Sequence, residues 1–171
     1  MRRALVLAAL LFVAPAGAAD EAATPVATST PVVDLVRVVK SERRLYLLSG
    51  GQVLARYRIA LGPHPLGPKR QQGDGRTPEG RYVLDAKKAD SDYYKAIHIS
   101  YPNADDLARA RALGAKPGEA IMIHGQRNGY ASLGIFLQRT DWTNGCIALA
   151  NADMDEVWNR VAVGTPIELL P

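Results

Sequence analysis

Residues 141–151 read DWTNGCIALAN and hold the single cysteine of the chain, Cys146, between a glycine and an apolar residue. Asn144-Gly145 is a turn dipeptide, and the apolar run behind Cys146 predicts a short strand, so the thiol falls at the rim of a sheet. Asn151 then stands where a cap would start a helix over ADMDEVWNRVA, with acidic residues in its first turn and Val157, Trp158 and Val161 on an apolar face. A glycine before the sulfur lets a substrate backbone come close and leaves main-chain N–H groups to face it, as in an oxyanion hole. A buried, inert thiol is the plainer reading of a lone cysteine.

Outward from this turn the chain is mostly β. LVRVVKSERRLYLLSGGQVLARYRIAL, from Leu35, is a series of β-prone runs with a hairpin at Gly50-Gly51. The next twenty residues carry four prolines and five glycines, which exclude a regular element and predict a long functional or mobile loop. GRYVLDAKK and KAIHIS predict two more strands, and NADDLARARALG a short helix capped by Asn103. AIMIH is a buried strand ending on His124, and TPIELL closes the chain. The sum is six to eight strands and two short helices, a β-sandwich or barrel-like fold with helices at its edge.

At the other end, Arg2 and Arg3 precede an apolar run, and Ala16-Gly17-Ala18 offers small residues for cleavage. This predicts a secretory signal over residues 1–19, too short in its apolar core to span a bilayer. Residues 20–31, rich in Ala, Thr and Pro, predict a flexible linker, and residues 32–171 the folded domain. The expected location is therefore periplasmic or otherwise extracytoplasmic, without stable membrane insertion after signal cleavage. Removing Arg2 and Arg3 from the 21 basic residues leaves 19 against 17 acidic ones. With no run of five like charges and no basic stripe interleaved with aromatics, a nucleic-acid surface has little support.

In an exported chain an unpaired thiol risks oxidation, which makes its presence informative. A nucleophilic thiol needs a base, because only the thiolate attacks well. Three histidines are available. His64 lies in the Pro/Gly loop, and His98 alternates along a strand with Ile97 and Ile99. His124 ends an apolar strand and is followed at once by Gly125, which makes it the best base. The spacing of the three gives no H-x-x-x-H pair, so a metal site is not expected, and no cofactor is implied. The group that orients the imidazole is open between Asp141 and a backbone carbonyl, which leaves no trace in sequence.

IMIHGQ, followed after a loop by DWTNGCIALAN, resembles the L,D-transpeptidase catalytic domain (YkuD-type), as do GDGRTPEGRYVL and SYPNADDLARA upstream. Three blocks agree in order over nearly all of the predicted domain. The resemblance implies a β-sandwich-like fold and a cysteine nucleophile acting on peptidoglycan stem peptides. It assigns Cys146 as nucleophile, His124 as base, and the backbone around Gly145 and Cys146 as oxyanion hole, with Thr143 matching the Ser/Thr of the signature. The sequence departs from the family at Asn144, where the signature has histidine, and at Ala148, where it has arginine. Carboxylate recognition then falls to Arg139, Arg127 or Arg76. The segment between His124 and Cys146 is longer than usual and is expected to form a cap, with Tyr130, Phe136 and Trp142 as contacts.

The implied reaction is acylation of Cys146 by a tetrapeptide stem, loss of terminal D-alanine, and transfer to an amine, by a monomer. Hydrolysis by an L,D-carboxypeptidase or endopeptidase of the same fold, and a degenerate peptidoglycan-binding module, are the alternatives. Carbapenem acylation separates the last from the enzymes.

Overall fold

The computed structural model describes residues 31–118 and 120–171, with the side chain of Ile135 left aside. The signal and most of the linker expected from sequence lie outside these residues. Eight strands form one sheet in the order β3-β2-β1-β8-β4-β5-β6-β7. They are β1 (Leu35–Val39), β2 (Arg44–Ser49), β3 (Gln52–Arg58), β4 (Gly80–Ser91), β5 (Tyr94–Ile99), β6 (Met122–His124), β7 (Ile147–Ala148) and β8 (Pro166–Leu170). The β1–β8 and β6–β7 pairs are parallel and the rest antiparallel.

The long strand β4 joins the two halves of the sheet. Its first four residues pair with β8, and from Leu84 onward it pairs with β5 through two register shifts. Such bulges bend a strand and raise its twist. The sheet curls far enough that its ends meet: Ala60, just past β3, exchanges two hydrogen bonds of 2.9 Å with Ala148 of β7. Barrel-like closure therefore sits on β7, two residues past Cys146.

Alternation sets the core. Val36 and Val38, Leu45 and Leu47, Tyr82 and Leu84, Ile97 and Ile99, and Ile167 and Leu169 all point inward and are buried. The helix α1 (Ala104–Ala112) starts as its sequence predicts, on a capping box between Asn103 and Asp106. The short α2 (Gly134–Leu137) follows a 3₁₀ turn at Ala131–Leu133, and α3 (Asn151–Arg160) packs against β5. Among the described residues no helix is long and apolar enough to cross a membrane.

Two local expectations change. Ala150, not Asn151, is the N-cap of α3 and offers no side-chain bond. The Asn151 amide oxygen accepts instead from the Gln126 N–H at 2.8 Å, tying the helix start to the segment behind His124. The apolar face of α3 centres on Met154, Val157 and Val161, while Trp158 is half-buried with the Lys87 ammonium 5.0 Å from its ring centre.

Candidate active site

His124 is the last residue of β6 and Cys146 the residue before β7, and the parallel pairing of these strands sets Ile123 beside Ile147. Both side chains line one cavity of about 300 Å³, with Trp142, Thr143, Asn144 and Tyr93. The approach of β6 and β7 thus brings together two residues that are far apart in sequence.

His124 is buried, and its Nδ1 lies 2.6 Å from the Gly125 carbonyl oxygen. A carbonyl only accepts, so Nδ1 carries the proton and Nε2 keeps its lone pair. This is the orienting backbone carbonyl; Asp141 serves elsewhere, bound to Arg43 at 2.6 Å and accepting the Leu61 N–H at 3.0 Å. Burial lowers the His124 pKa, and the Gly125 carbonyl works the other way without reversing it. Gly125 itself has no room for a side chain: a Cβ would stand 2.7 Å from the Asn151 amide oxygen and 2.8 Å from Tyr94 Cβ.

The Cys146 sulfur is 3.6 Å from the Ala120 carbonyl oxygen. Burial pushes its thiol up, against a main-chain N–H of Met122 and the charge of Lys69. Thiol and imidazole are therefore both neutral at rest, an arrangement suited to general-base transfer at the moment of attack and not to a standing ion pair.

The turn before Cys146 is held from several sides. Thr143 donates from its N–H to the Leu61 carbonyl at 2.9 Å and from its hydroxyl to the Cys146 carbonyl at 2.7 Å. Its hydroxyl oxygen accepts the Gly145 N–H at 3.2 Å, so that N–H is already engaged. Gly145 has φ +105°, and a Cβ there would meet the Arg76 carbonyl oxygen at 2.5 Å. The Thr77 hydroxyl donates to the Gly145 carbonyl at 2.9 Å.

The Pro/Gly loop is thus an ordered wall. Lys40, buried at the end of β1, donates from Nζ to the carbonyls of Gly67 and Thr77 and to the Glu79 carboxylate at 2.8 Å. Asp74 pairs with Lys69 at 2.9 Å; its burial opposes ionisation, but N–H donors of Arg70, Gln71 and Arg76, with Lys69, hold its carboxyl below the usual value. Both turn carboxylates, Asp74 and Glu79, are thus held in internal ion pairs.

Of the remaining sequence candidates, Trp142, Thr143 and Asn144 line the Cys146 cavity, and the arginines do not. Arg76 lines a shallow pocket with His64 and Arg70, Arg127 sits over the Tyr130 ring at 5.9 Å, and Arg139 lines a separate cavity. Lys69 instead shares with Cys146 another, smaller cavity of about 190 Å³. His98 pairs with Asp85 at 2.6 Å, and the His64 ring nitrogen Nδ1 lies 3.0 Å from the Asp74 carbonyl oxygen.

Sequence reasoning missed Lys69 and Tyr93. Tyr93, in the tight turn between β4 and β5, is tilted against the His124 ring at 4.8 Å and stacks on Trp142 at 6.1 Å. The only local signal was that turn. None of residues 127–140 lines the Cys146 cavity, and Tyr130 and Phe136 are exposed.

The L,D-transpeptidase catalytic domain family (YkuD) matches residues 33–169. The chain belongs to that family. YafK of Escherichia coli (strain K12), provisionally named an L,D-transpeptidase, is 37% identical over 132 residues, covering 74% of this chain and 46% of YafK. The helical cell shape determining protein Pgp2 of Campylobacter jejuni aligns with TM-score 0.60 and 26% identity over 80% of this chain and 47% of Pgp2. Bd1075 of Bdellovibrio bacteriovorus, at TM-score 0.53 and 22% identity over 80% of this chain and 47% of its own, shares the fold. The chain spans about half the length of the relatives it matches.

Proposed function

We propose that this chain is a cysteine acyltransferase of peptidoglycan stem peptides, working outside the cytoplasm, with Cys146 as nucleophile and His124 as base. The observation that carries the reading is the opening of both side chains on one cavity, with His124 Nδ1 tied to a carbonyl and Nε2 left to accept. His124 Nε2 takes the thiol proton as Cys146 Sγ attacks the carbonyl carbon of the L,D bond. With the Gly145 N–H engaged by Thr143, the main-chain N–H of Cys146 is the donor we assign to the oxyanion. Collapse of the tetrahedral adduct breaks the C–N bond, and His124 returns its proton to the departing D-alanine amine. An acceptor amine then attacks the thioester, gives a proton to His124 and releases the thiol.

Intact-protein mass after mixing with a carbapenem at pH 7 to 8 tests the acyl step. The expected outcome is an adduct on wild type, none on Cys146→Ala, and slowing of about 10² to 10⁴-fold in His124→Ala. A wild-type chain that takes no adduct from a carbapenem and releases no D-alanine from a stem tetrapeptide would overturn the enzyme reading in favour of a binding module. Product analysis with an added amine acceptor then separates transfer from hydrolysis.

A further inference from the structure

The Nδ1 bond to the Gly125 carbonyl holds one edge of the His124 ring, but its acceptor belongs to the next residue in the chain and does not cover the ring's faces. A general base works when its lone pair stays aimed at the proton it takes, so a second restraint on the ring matters. Two aromatic side chains supply it. Tyr93 lies 4.8 Å from the imidazole at an interplanar angle of 47°, Trp142 lies 5.8 Å from it at 65°, and the two rings stack on each other at 6.1 Å. His124 is 5% exposed and Tyr93 37%, so Tyr93 forms the outer, wetted layer over a buried imidazole.

The turn that carries Tyr93 is built to keep it there. It consists of Asp92 and Tyr93, between the paired residues Ser91 and Tyr94. The Tyr93 N–H donates to the Ser91 hydroxyl at 3.0 Å, and the Tyr93 carbonyl accepts the Gly125 N–H at 3.1 Å, which joins the turn to the residue after the base. Tyr94 takes φ +66°, a conformation that residues with side chains rarely adopt and that persists where the surroundings fix it. The Tyr94 hydroxyl donates to the Asp155 carboxylate at 2.9 Å, which anchors the turn to α3.

No charged side chain lines the cavity that His124 shares with Cys146, and the titratable groups facing the imidazole there are the Cys146 thiol and the Tyr93 phenol. From the neighbouring strands it meets Ala96 of β5 and Ala148 of β7 in register. Lys95 is turned to Asp155 at 2.6 Å, and Lys69 shares only the other cavity with Cys146. Exclusion of water is therefore what separates this imidazole from an exposed one, and the ring that excludes the water governs the base.

We propose that Tyr93 is a positioning residue for His124: its ring closes the solvent side of the imidazole and, with Trp142, fixes the tilt at which Nε2 meets the Cys146 thiol. Its part in catalysis rests on the acyltransferase reading, whereas its cover of His124 does not. The effect belongs to the ring and not to the hydroxyl.

Proton NMR titration of the histidine ring signals of the full chain tests the cover, with those of His124 assigned by their loss in His124→Gln, and carbapenem acylation followed by mass tests the aim. In Tyr93→Ala the His124 midpoint should rise toward 6.5 from its lower wild-type value, while His64 and His98 titrate as in wild type and report that the fold is kept. Acylation at pH 8, where the imidazole is neutral in every variant, should slow at least about tenfold in Tyr93→Ala because the aim is lost. Tyr93→Phe should match wild type in both readouts. An unmoved His124 midpoint in Tyr93→Ala overturns the proposal. So does a raised midpoint with wild-type acylation at pH 8, which would leave cover without positioning, or a Tyr93→Phe variant that behaves like Tyr93→Ala, which would give the role to the hydroxyl. The titration needs no acylation, so it decides the cover even where no carbapenem adduct forms.

Discussion

The turn that carries Cys146 and the segment of residues 127–140 both follow β6 in the chain, yet they are held in opposite ways. Around Cys146, main-chain and hydroxyl bonds run from Thr143 to Leu61, from Thr143 to Cys146, and from Thr77 to Gly145, with buried Lys40 behind Thr77. In residues 127–140, Tyr130, Leu133 and Phe136 are exposed, and the amide of Gln138 is buried without partners. Cys146 is placed by backbone ties that tolerate little change, whereas the neighbouring segment presents side chains that can be exchanged at small cost to the fold.

Gly145→Ala should show the largest effect. Its Cβ would stand 2.5 Å from a main-chain oxygen, at a φ of +105° that side-chain-bearing residues rarely adopt. Either the turn shifts or the strain stays, and we expect a loss of more than about 3 kcal/mol of stability or about 10²-fold in acylation rate. Thermal melts and carbapenem mass kinetics read the two. A variant with wild-type values in both would break the contrast at its firmest point.

Lys40→Met comes next. It leaves the Glu79 carboxylate, 18% exposed, and the carbonyls of Gly67 and Thr77 without their cation. Removing one partner of a buried pair costs about 3 kcal/mol or more, which for a domain of this size corresponds to a fall of about 10 °C in melting temperature. A smaller acylation loss should accompany it, transmitted through Thr77 to Gly145. A drop below about 3 °C would mean that the loop holds itself, and that Lys40 is dispensable to the wall.

Much of this was legible in the sequence because it is local or periodic. Alternation in β1, β2 and β5, the glycine pair between β2 and β3, and the Asn103 cap of α1 all act within a few residues. That Cys146 and His124 belong together, as their shared cavity shows, was legible through chemistry and family likeness. What could not be read depends on contacts between distant segments. Lys40 looks like a surface lysine at a strand end until the loop of residues 61–79 folds over it. Asn151 looks like a helix cap until Gln126 draws its side chain away. The absence of Arg139, Arg127 and Arg76 from the Cys146 cavity, and the presence of Lys69 next to it, follow from the route of two long loops.

His124 gives a finer test through pH. Its pKa is lowered from 6.5 in the folded chain by burial, so the unfolded chain takes up a proton first as pH falls. The stability contributed by neutral His124 is present above pH 6.5 and is lost as pH falls from there toward its folded value. Melting temperature should decline over that window in wild type and less so in His124→Gln. The acid limb of the acylation rate should lie below pH 6.5, because the free base persists to lower pH than in an exposed histidine. A limb at or above that value would place the imidazole in a more solvated or charge-paired setting than the Gly125 contact describes.

The smallest effect is expected at Phe136, which is 67% exposed on the face of α2 turned from the fold. A side chain left in water in the folded state has little hydrophobic free energy to lose on replacement, and surface changes away from special features usually stay within about 0.5 kcal/mol. Phe136→Ser should therefore move the melting temperature by no more than about 2 °C and leave carbapenem acylation at the wild-type rate, since Phe136 does not line the Cys146 cavity. The result bears on the contrast because Phe136 sits two residues from Gln138, whose amide is buried without partners. A large fall in melting temperature would mean that residues 127–140 are packed as firmly as the Cys146 turn. A slowed acylation with unchanged melting would mean that the segment reaches the reacting groups, and that the two regions work as one site.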